Sequence, residues 1–272
     1  MLNFRVDAEK CIQCDACVTD CPSGIIHRKD GEVPEADGPC LECQHCLAIC
    51  PTGAISVFGL KPEDSLPLHD GAFPSYRQMK VFARGRRSVR QFLDEDVSPA
   101  LIDELLADLA HAPTGCNDRD LTFSVVPGRK AMGILREKLQ QILLAKQKAG
   151  AVFDPFMTAA LAAYQSDGRD MLLRGAPHLL VVSPGKKALC GQEDSVLALA
   201  YFELLAQSAG LGATWCGALK LLADGGIAEI RELLGLAPDA YFYAMMFGNP
   251  AISYARTVQR DRAARIRRID MA

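Results

Sequence analysis

At 272 residues, 49% apolar and with a formal net charge of −3, the chain is long enough to bury a sizeable core and too evenly charged to point to a nucleic-acid partner. No long apolar run suggests a membrane span, and the opening stretch "MLNFRVDAEKC" contains no apolar signal segment, so a reducing cytoplasm is the expected setting for its eleven cysteines. The charge is unevenly spread: residues 1–59 hold nine Asp and Glu against four Lys and Arg, leaving 24 against 26 for the rest. An acidic N-terminal part of this kind would be steered toward a basic face on a donor.

Taken in chain order, the first feature is a repeat. Cys11, Cys14, Cys17, Cys21 and Pro22 recur 29 residues later as Cys40, Cys43, Cys46, Cys50 and Pro51, and Gly24 and Ile26 recur as Gly53 and Ile55. A whole supersecondary unit is therefore duplicated, not a set of isolated ligands. A disulfide framework does not suit a reducing compartment. Zinc takes paired C-x2-C knuckles and has no need of a third cysteine and a Cys-Pro in each run. The C-x2-C-x2-C-x3-C-P spacing is the signature of 4Fe-4S ligation, in which the cysteine before the proline serves the other cluster. Cys11, Cys14, Cys17 and Cys50 are thus expected to hold one cluster, and Cys40, Cys43, Cys46 and Cys21 the second. The stretch resembles a bacterial-type ferredoxin over roughly residues 3–59. His45 lies inside the second run but has no ligand role to fill, because four thiolates complete each cluster.

"LKPEDSLPLHDGAFPSY", residues 60–76, has three prolines and little apolar periodicity and reads as a linker. Residues 77–272 then form a second domain. Ser98 and Pro99 start a helix as N-cap and first residue, Leu101, Ile102, Leu105, Leu106 and Leu109 give its apolar face, and Pro113 stops it. A strand follows at 121–126, a long amphipathic helix at 129–149, another helix at 154–165 and a buried strand at 178–183. A further helix from Glu193 to Ser208 ends at Gly210, and the helix "IAEIRELLG" and the strand "YFYAMMFG" complete an α+β sandwich.

Neither a G-x-G-x-x-G nor a P-loop is present, which disfavours a Rossmann or nucleoside-triphosphate site. "RGRRSVRQF", residues 84–92, offers Arg86, Arg87, Ser88 and Arg90 in one short span, a set able to surround a phosphate with guanidinium forks and a hydroxyl, or simply a solvated basic turn. The order of R-R-S-x-R-x-F, a helix ending "HAPTGCN", a strand, "GLGATWCG" and "FGNPAISYAR" resembles the nitroreductase family of FMN oxidoreductases over roughly residues 77–260. That resemblance implies a central mixed sheet flanked by helices. It also implies FMN phosphate and ribityl contacts from Arg86, Arg87, Ser88 and Arg90, a flavin-ring contact from Asn117, backbone amides of Trp215, Cys216 and Gly217 at the reactive N5 edge, and a late arginine near the phosphate at Arg256. The family often continues its asparagine with x-Gln-Pro-Trp, whereas this chain reads "NDRDLTF". Arg119 stands in the glutamine's place, and either it or Arg90 is positioned to set charge near flavin N1. Cys116 and Cys216 fall beside the flavin by the same resemblance, with packing as their expected role, and Cys190 carries no signal.

Clusters pass electrons singly, most organic acceptors take two, and FMN can do both. The sequence therefore reads as an iron–sulfur flavoprotein oxidoreductase, a ferredoxin–nitroreductase fusion carrying two 4Fe-4S clusters and FMN. It would reduce a small nitroaromatic or conjugated acceptor with no single catalytic side chain, fed by a ferredoxin-like donor or NAD(P)H. A reductase for an enone, quinone or halogenated aromatic, and an electron-transfer adapter between protein partners, are the alternatives. The resemblance also implies a homodimer, and the basic tail "RDRAARIRRID" is either a solvated helix or an arm around a second subunit.

Overall fold

The structure, a computed structural model, describes residues 2–69, 71–260 and 264–271. It divides into two units: the chain up to Pro74 with Cys116–Asp118, and Ser75–Gly115 with the chain from Arg119 onward.

In the first unit the duplication is visible in the backbone. It contains β1 (Phe4–Val6), α1 (Ala16–Asp20), β2 (Ile26–His27), β3 (Glu35–Ala36), α2 (His45–Ile49) and β4 (Ile55–Val57). β1 pairs antiparallel with β4, Phe4 opposite Val57, and β2 pairs with β3. Each short helix is entered through a left-handed residue, Asp15 at φ 57° and Gln44 at φ 60°, and left at a cysteine in extended geometry, Cys21 and Cys50. The proline that follows each of these cysteines fits that exit, since a residue before proline is pushed out of the helical region. The core is small: Cys17, Ile25, Ile26 and Ile55 are buried, with Leu2, Phe4 and Val6 packed around them.

The second unit begins with α3 (Tyr76–Gly85), whose N-terminus is closed by a capping box between Ser75 and Gln78. Then follow α4 (Pro99–Asp108), β5 (Leu121–Val126), α5 (Gly128–Lys148), α6 (Pro155–Asp167), β6 (His178–Pro184), α7 (Gly191–Ser208), β7 (Gly212–Trp215), α8 (Gly217–Asp224), α9 (Glu229–Leu233) and β8 (Tyr243–Gly248). The sheet order is β5-β6-β8-β7 with antiparallel ladders, and a parallel bridge from Ser88 to Ala213 on β7 makes it mixed. Side chains alternate across a strand. On β6 and β8, Leu179, Val181, Ala244 and Met246 therefore turn to a layer that includes Met132, Leu139 and Leu143 of α5 and Leu161 of α6. Leu180, Val182, Met245 and Phe247 turn to the opposite layer with Ile102 and Leu105 of α4 and Phe202 of α7. After β8 no helix or strand is found among the described residues, so the solvated-helix reading of the tail finds no helix there; Asp261, Arg262 and Ala263 lie outside the described residues.

His178, at the start of β6, is buried and stacks on Phe247 with ring centroids 5.0 Å apart. Its Nε2 accepts the Val97 amide at 2.9 Å. The Gly128 amide points at Nδ1 at 3.0 Å as well, so backbone amides meet both ring nitrogens. Burial lowers the His178 pKa from 6.5 against an opposing pull from Asp96. The unfolded chain therefore binds the extra proton first as pH falls below 6.5, and folding stability declines in that window. His178→Phe keeps the stacking but leaves the Val97 and Gly128 amides without their ring acceptors, a loss of about 1–3 kcal/mol at neutral pH. Thermal melts between pH 7.5 and 5 are expected to show a smaller decline in the variant than in the wild type.

Candidate functional site

Two cavities in the first unit are each walled by four cysteines. One contains Cys11, Cys14, Cys17 and Cys50, the other Cys21, Cys40, Cys43 and Cys46. The crossed grouping follows from the backbone: in each run two cysteines precede a short helix, the third lies in its first turn, and the extended exit carries the fourth to the other copy. Four thiols around one wall suit a cubane, in which each thiolate takes one iron. The Ala54 amide donates to Cys50 Sγ at 3.2 Å, and the Glu42 amide to Cys40 Sγ at 3.3 Å, contacts of the kind that tune cluster potential.

Burial pushes the Cys46 thiol up to about 11 and raises Cys17, so loading these positions with iron releases protons. Cys50 runs the other way: burial alone would raise it, but the Ala54 amide and the Thr52 hydroxyl and amide outweigh burial and hold it low. His45 Nδ1 lies 3.1 Å from Asp20 Oδ2, which gives this histidine a partner outside the cysteine set.

In the second unit, four arginines gather. Arg84, Arg86, Arg87 and Arg260 line a cavity of about 460 Å³ with Thr257, Val258 and Gln259. Arg87 Nη2 donates to the Arg84 carbonyl, while its Nε is buried with no hydrogen-bond partner. A buried cationic donor without an acceptor, among three further guanidinium groups, fits a phosphate-bearing anion. An adjoining cavity is lined by Arg86, Arg87, Val89, Glu203, Ala213 and Tyr254, among others. Gly212 makes this arrangement possible, because a Cβ there would lie 2.6 Å from Val89 Cγ1. Without that side chain the arginine segment docks on β7, with the Val89 amide donating to the Ala213 carbonyl at 3.0 Å.

The residues anticipated from sequence are distributed as follows. Arg86 Nη1 donates to Glu203 Oε1 at 2.7 Å, and Trp215 Nε1 donates to Glu203 Oε2 at 3.2 Å. Ser88 supplies the backbone bridge to Ala213, and exposed Arg90 has Nη1 3.4 Å from the Ser88 carbonyl. Cys216 is buried, its thiol pushed up to about 12 by burial, and its amide is already given to the Ala244 carbonyl at 2.8 Å. That thiol is a packing group and not a reactive one. Gly217 begins α8, where a first-turn amide has no acceptor within its helix. Asn117 groups with the first unit, its Nδ2 donating to the Leu41 carbonyl at 2.9 Å. Arg256 is exposed and does not line the arginine cavity, a place taken by Arg260.

Sequence reasoning missed Arg84, Arg260 and Glu203. Arg84 was within reach, since it opens the same basic stretch. A third cavity of about 480 Å³ is mainly apolar, with Val152, Phe153, Phe156, Leu221 and Gly217 in its lining. Phe123 and Trp215 pack instead against the layer containing Phe202.

Comparison with known proteins follows this geometry. Residues 83–249 match the nitroreductase family model, and residues 10–55 match a 4Fe-4S dicluster domain. Among solved structures, a nitroreductase with bound FMN from Bacteroides fragilis aligns at 20% identity and TM-score 0.52, covering 68% of this chain and 97% of that one. A nitroreductase with bound FMN from Desulfitobacterium hafniense aligns at 22% and 0.51, covering 68% and 96%, and a nitroreductase-like family protein from Bacillus cereus at 21% and 0.50, covering 72% and 98%. These likenesses establish the fold. No curated protein matches. Because the family model spans more than half of its length, the chain belongs to the nitroreductase family, here joined to a 4Fe-4S dicluster domain.

Proposed function

We propose that this protein is an iron–sulfur flavoprotein oxidoreductase in which two 4Fe-4S clusters supply electrons to FMN for reduction of a small nitroaromatic or conjugated acceptor. The observation that carries this reading is the occurrence, in one chain, of two four-cysteine cavities and a cavity lined by four arginines with an orphaned Arg87 Nε. FMN, when bound, takes up electrons singly and gives them up in pairs, so it links one-electron clusters to a two-electron acceptor.

Arg84, Arg87 and Arg260 hold the phosphate, Arg86 and Ser88 border the ribityl chain, and the Gly217 amide, free of a helical partner, faces the reacting edge. The amide of Cys216 is taken by Ala244, so that task falls to its neighbour. Ring contacts from Trp215 and Asn117 and a charge near N1 from Arg90 or Arg119 belong to the same proposal, while Arg256 yields its expected place to Arg260. The apolar cavity beside Gly217, with Phe153 and Phe156, suits a flat apolar acceptor. The acidic N-terminal part receives a reduced ferredoxin or a similar one-electron donor in the cytoplasm. Exposed Val196, Leu197 and Tyr201 on α7 support a homodimer carrying two FMN and four clusters.

The reading is tested by FMN titration of flavin-stripped protein. Arg87→Ala removes a charged donor to phosphate and is expected to weaken FMN binding by about 1.5–3 kcal/mol, roughly ten- to a hundredfold. Heat release should yield FMN and not FAD. Unchanged FMN affinity in Arg87→Ala, or a protein that takes up no flavin, would overturn it.

A further inference from the structure

Glu203 is a buried carboxylate on α7, and nothing in the sequence motifs calls for it. Its two oxygens are shared between two different elements: Oε1 accepts from Arg86 Nη1 at 2.7 Å, just beyond the end of α3, and Oε2 accepts from Trp215 Nε1 at 3.2 Å, at the end of β7. One turn further along α7, Gln207 Nε2 donates to the Phe82 carbonyl at 2.9 Å and so grips the last turn of α3. α3 has no buried residue of its own, so these two polar side chains on one face of α7 do much to fix where α3 ends.

We infer that Glu203 is a positioning residue for the flavin site, acting through Arg86 and Trp215. The inference rests on the proposed FMN reading and extends it to a residue that does not touch the anion cavity lined by Arg84, Arg86, Arg87 and Arg260. The paired carboxylate compensates the Arg86 charge and fixes the direction of its guanidinium at the edge of the cavity. At the same time it fixes the indole at the turn leading to Gly217. One side chain therefore ties the phosphate end of the site to the reacting end. Only a carboxylate can do this. Two donors need two acceptor oxygens, and a carboxamide has one, with its amino group directed at one of the two donors.

That difference supplies the test, because Glu203→Gln preserves shape and packing while removing one acceptor. Trp215 is the single tryptophan, so tryptophan emission, excited selectively over tyrosine and compared at equal iron content, comes from one site. In flavin-stripped Glu203→Gln with unchanged iron content and far-ultraviolet circular dichroism, the emission maximum is expected to shift and acrylamide quenching to increase. FMN affinity is expected to fall about tenfold, about 1.4 kcal/mol. Arg86→Ala should lose a similar factor, and the double variant should lose little more than either alone, because both act through one contact. Wild-type emission together with unchanged or tighter FMN binding in Glu203→Gln overturns the inference and leaves the flavin reading intact. Wild-type protein that takes up no FMN overturns the flavin reading instead, and Trp215 emission alone then decides whether Glu203 holds the indole. Should Glu203→Gln not fold, Glu203→Asp keeps both acceptors on a shorter stem and is expected to retain part of the affinity; a loss there as large as that of Arg86→Ala counts against positioning by hydrogen bonds.

Discussion

Deleting residues 1–59 is expected to abolish nitroaromatic reduction driven by reduced ferredoxin while FMN stays bound. The reason is electron counting. A ferredoxin delivers one electron per encounter, and the proposed route from donor to flavin runs through thiolate-held clusters that all lie within the deleted segment. The layers around β6 and β8 draw on residues from Val97 onward, so the flavin unit keeps its core when the deletion is made. Anaerobic turnover of full-length and shortened protein with reduced ferredoxin, NADH and NADPH would separate the possibilities. Loss with ferredoxin by at least two orders of magnitude is the expected result. Equal rates for both proteins with every donor would take the clusters off the productive route. Flavin that cycles without turning over any acceptor in a small-molecule panel would favour the adapter reading.

The second large effect concerns ligand crossing, and pairs of substitutions expose it better than single ones. Wild-type protein is expected to contain about eight iron and eight acid-labile sulfide per chain, and Cys21→Ala about four of each. Cys21 shares its cavity with Cys40, Cys43 and Cys46. Cys21→Ala combined with Cys43→Ala therefore damages one cluster twice and should still retain about four iron. Cys21→Ala combined with Cys14→Ala strikes both cavities and should retain almost none. If the two double variants exchanged these values, each run would be holding its own cluster and the crossed assignment would be wrong.

Much of this was legible in the residues. The 29-residue repeat gave the cysteine sets before any geometry. β5 lies at the expected residues, and α4, α5, α6 and β6 lie within a few residues of theirs, because each has a clear apolar period. α3 escaped notice for the opposite reason: Tyr76, Met79 and Val81 are exposed, so no stripe marks a buried face, and only the Ser75–Gln78 capping box announced it. β7 was hidden inside "GATWCG", a stretch with too few residues to show a period, and α8 starts only at its last glycine. Arg260 could not be found locally at all. It reaches the arginine cavity because the chain leaving β8 doubles back along residues 91–93, with the Leu93 amide donating to Asn249 and the Ala251 amide to Gln91. Arg256, the nearer match to a motif, is the residue a linear reading selects, whereas Arg260, four positions on, is the one that lines the arginine cavity.

The crossed cysteines also constrain how the protein is made. Translation runs toward the C-terminus, and the set built on Cys11, Cys14 and Cys17 stays one ligand short until Cys50 emerges. The set that uses Cys21 is complete at Cys46, four residues sooner. The copy translated second therefore finishes its ligand set first, and both close almost together. A nascent chain that stops short of Cys40 holds the full first motif but completes neither set of four.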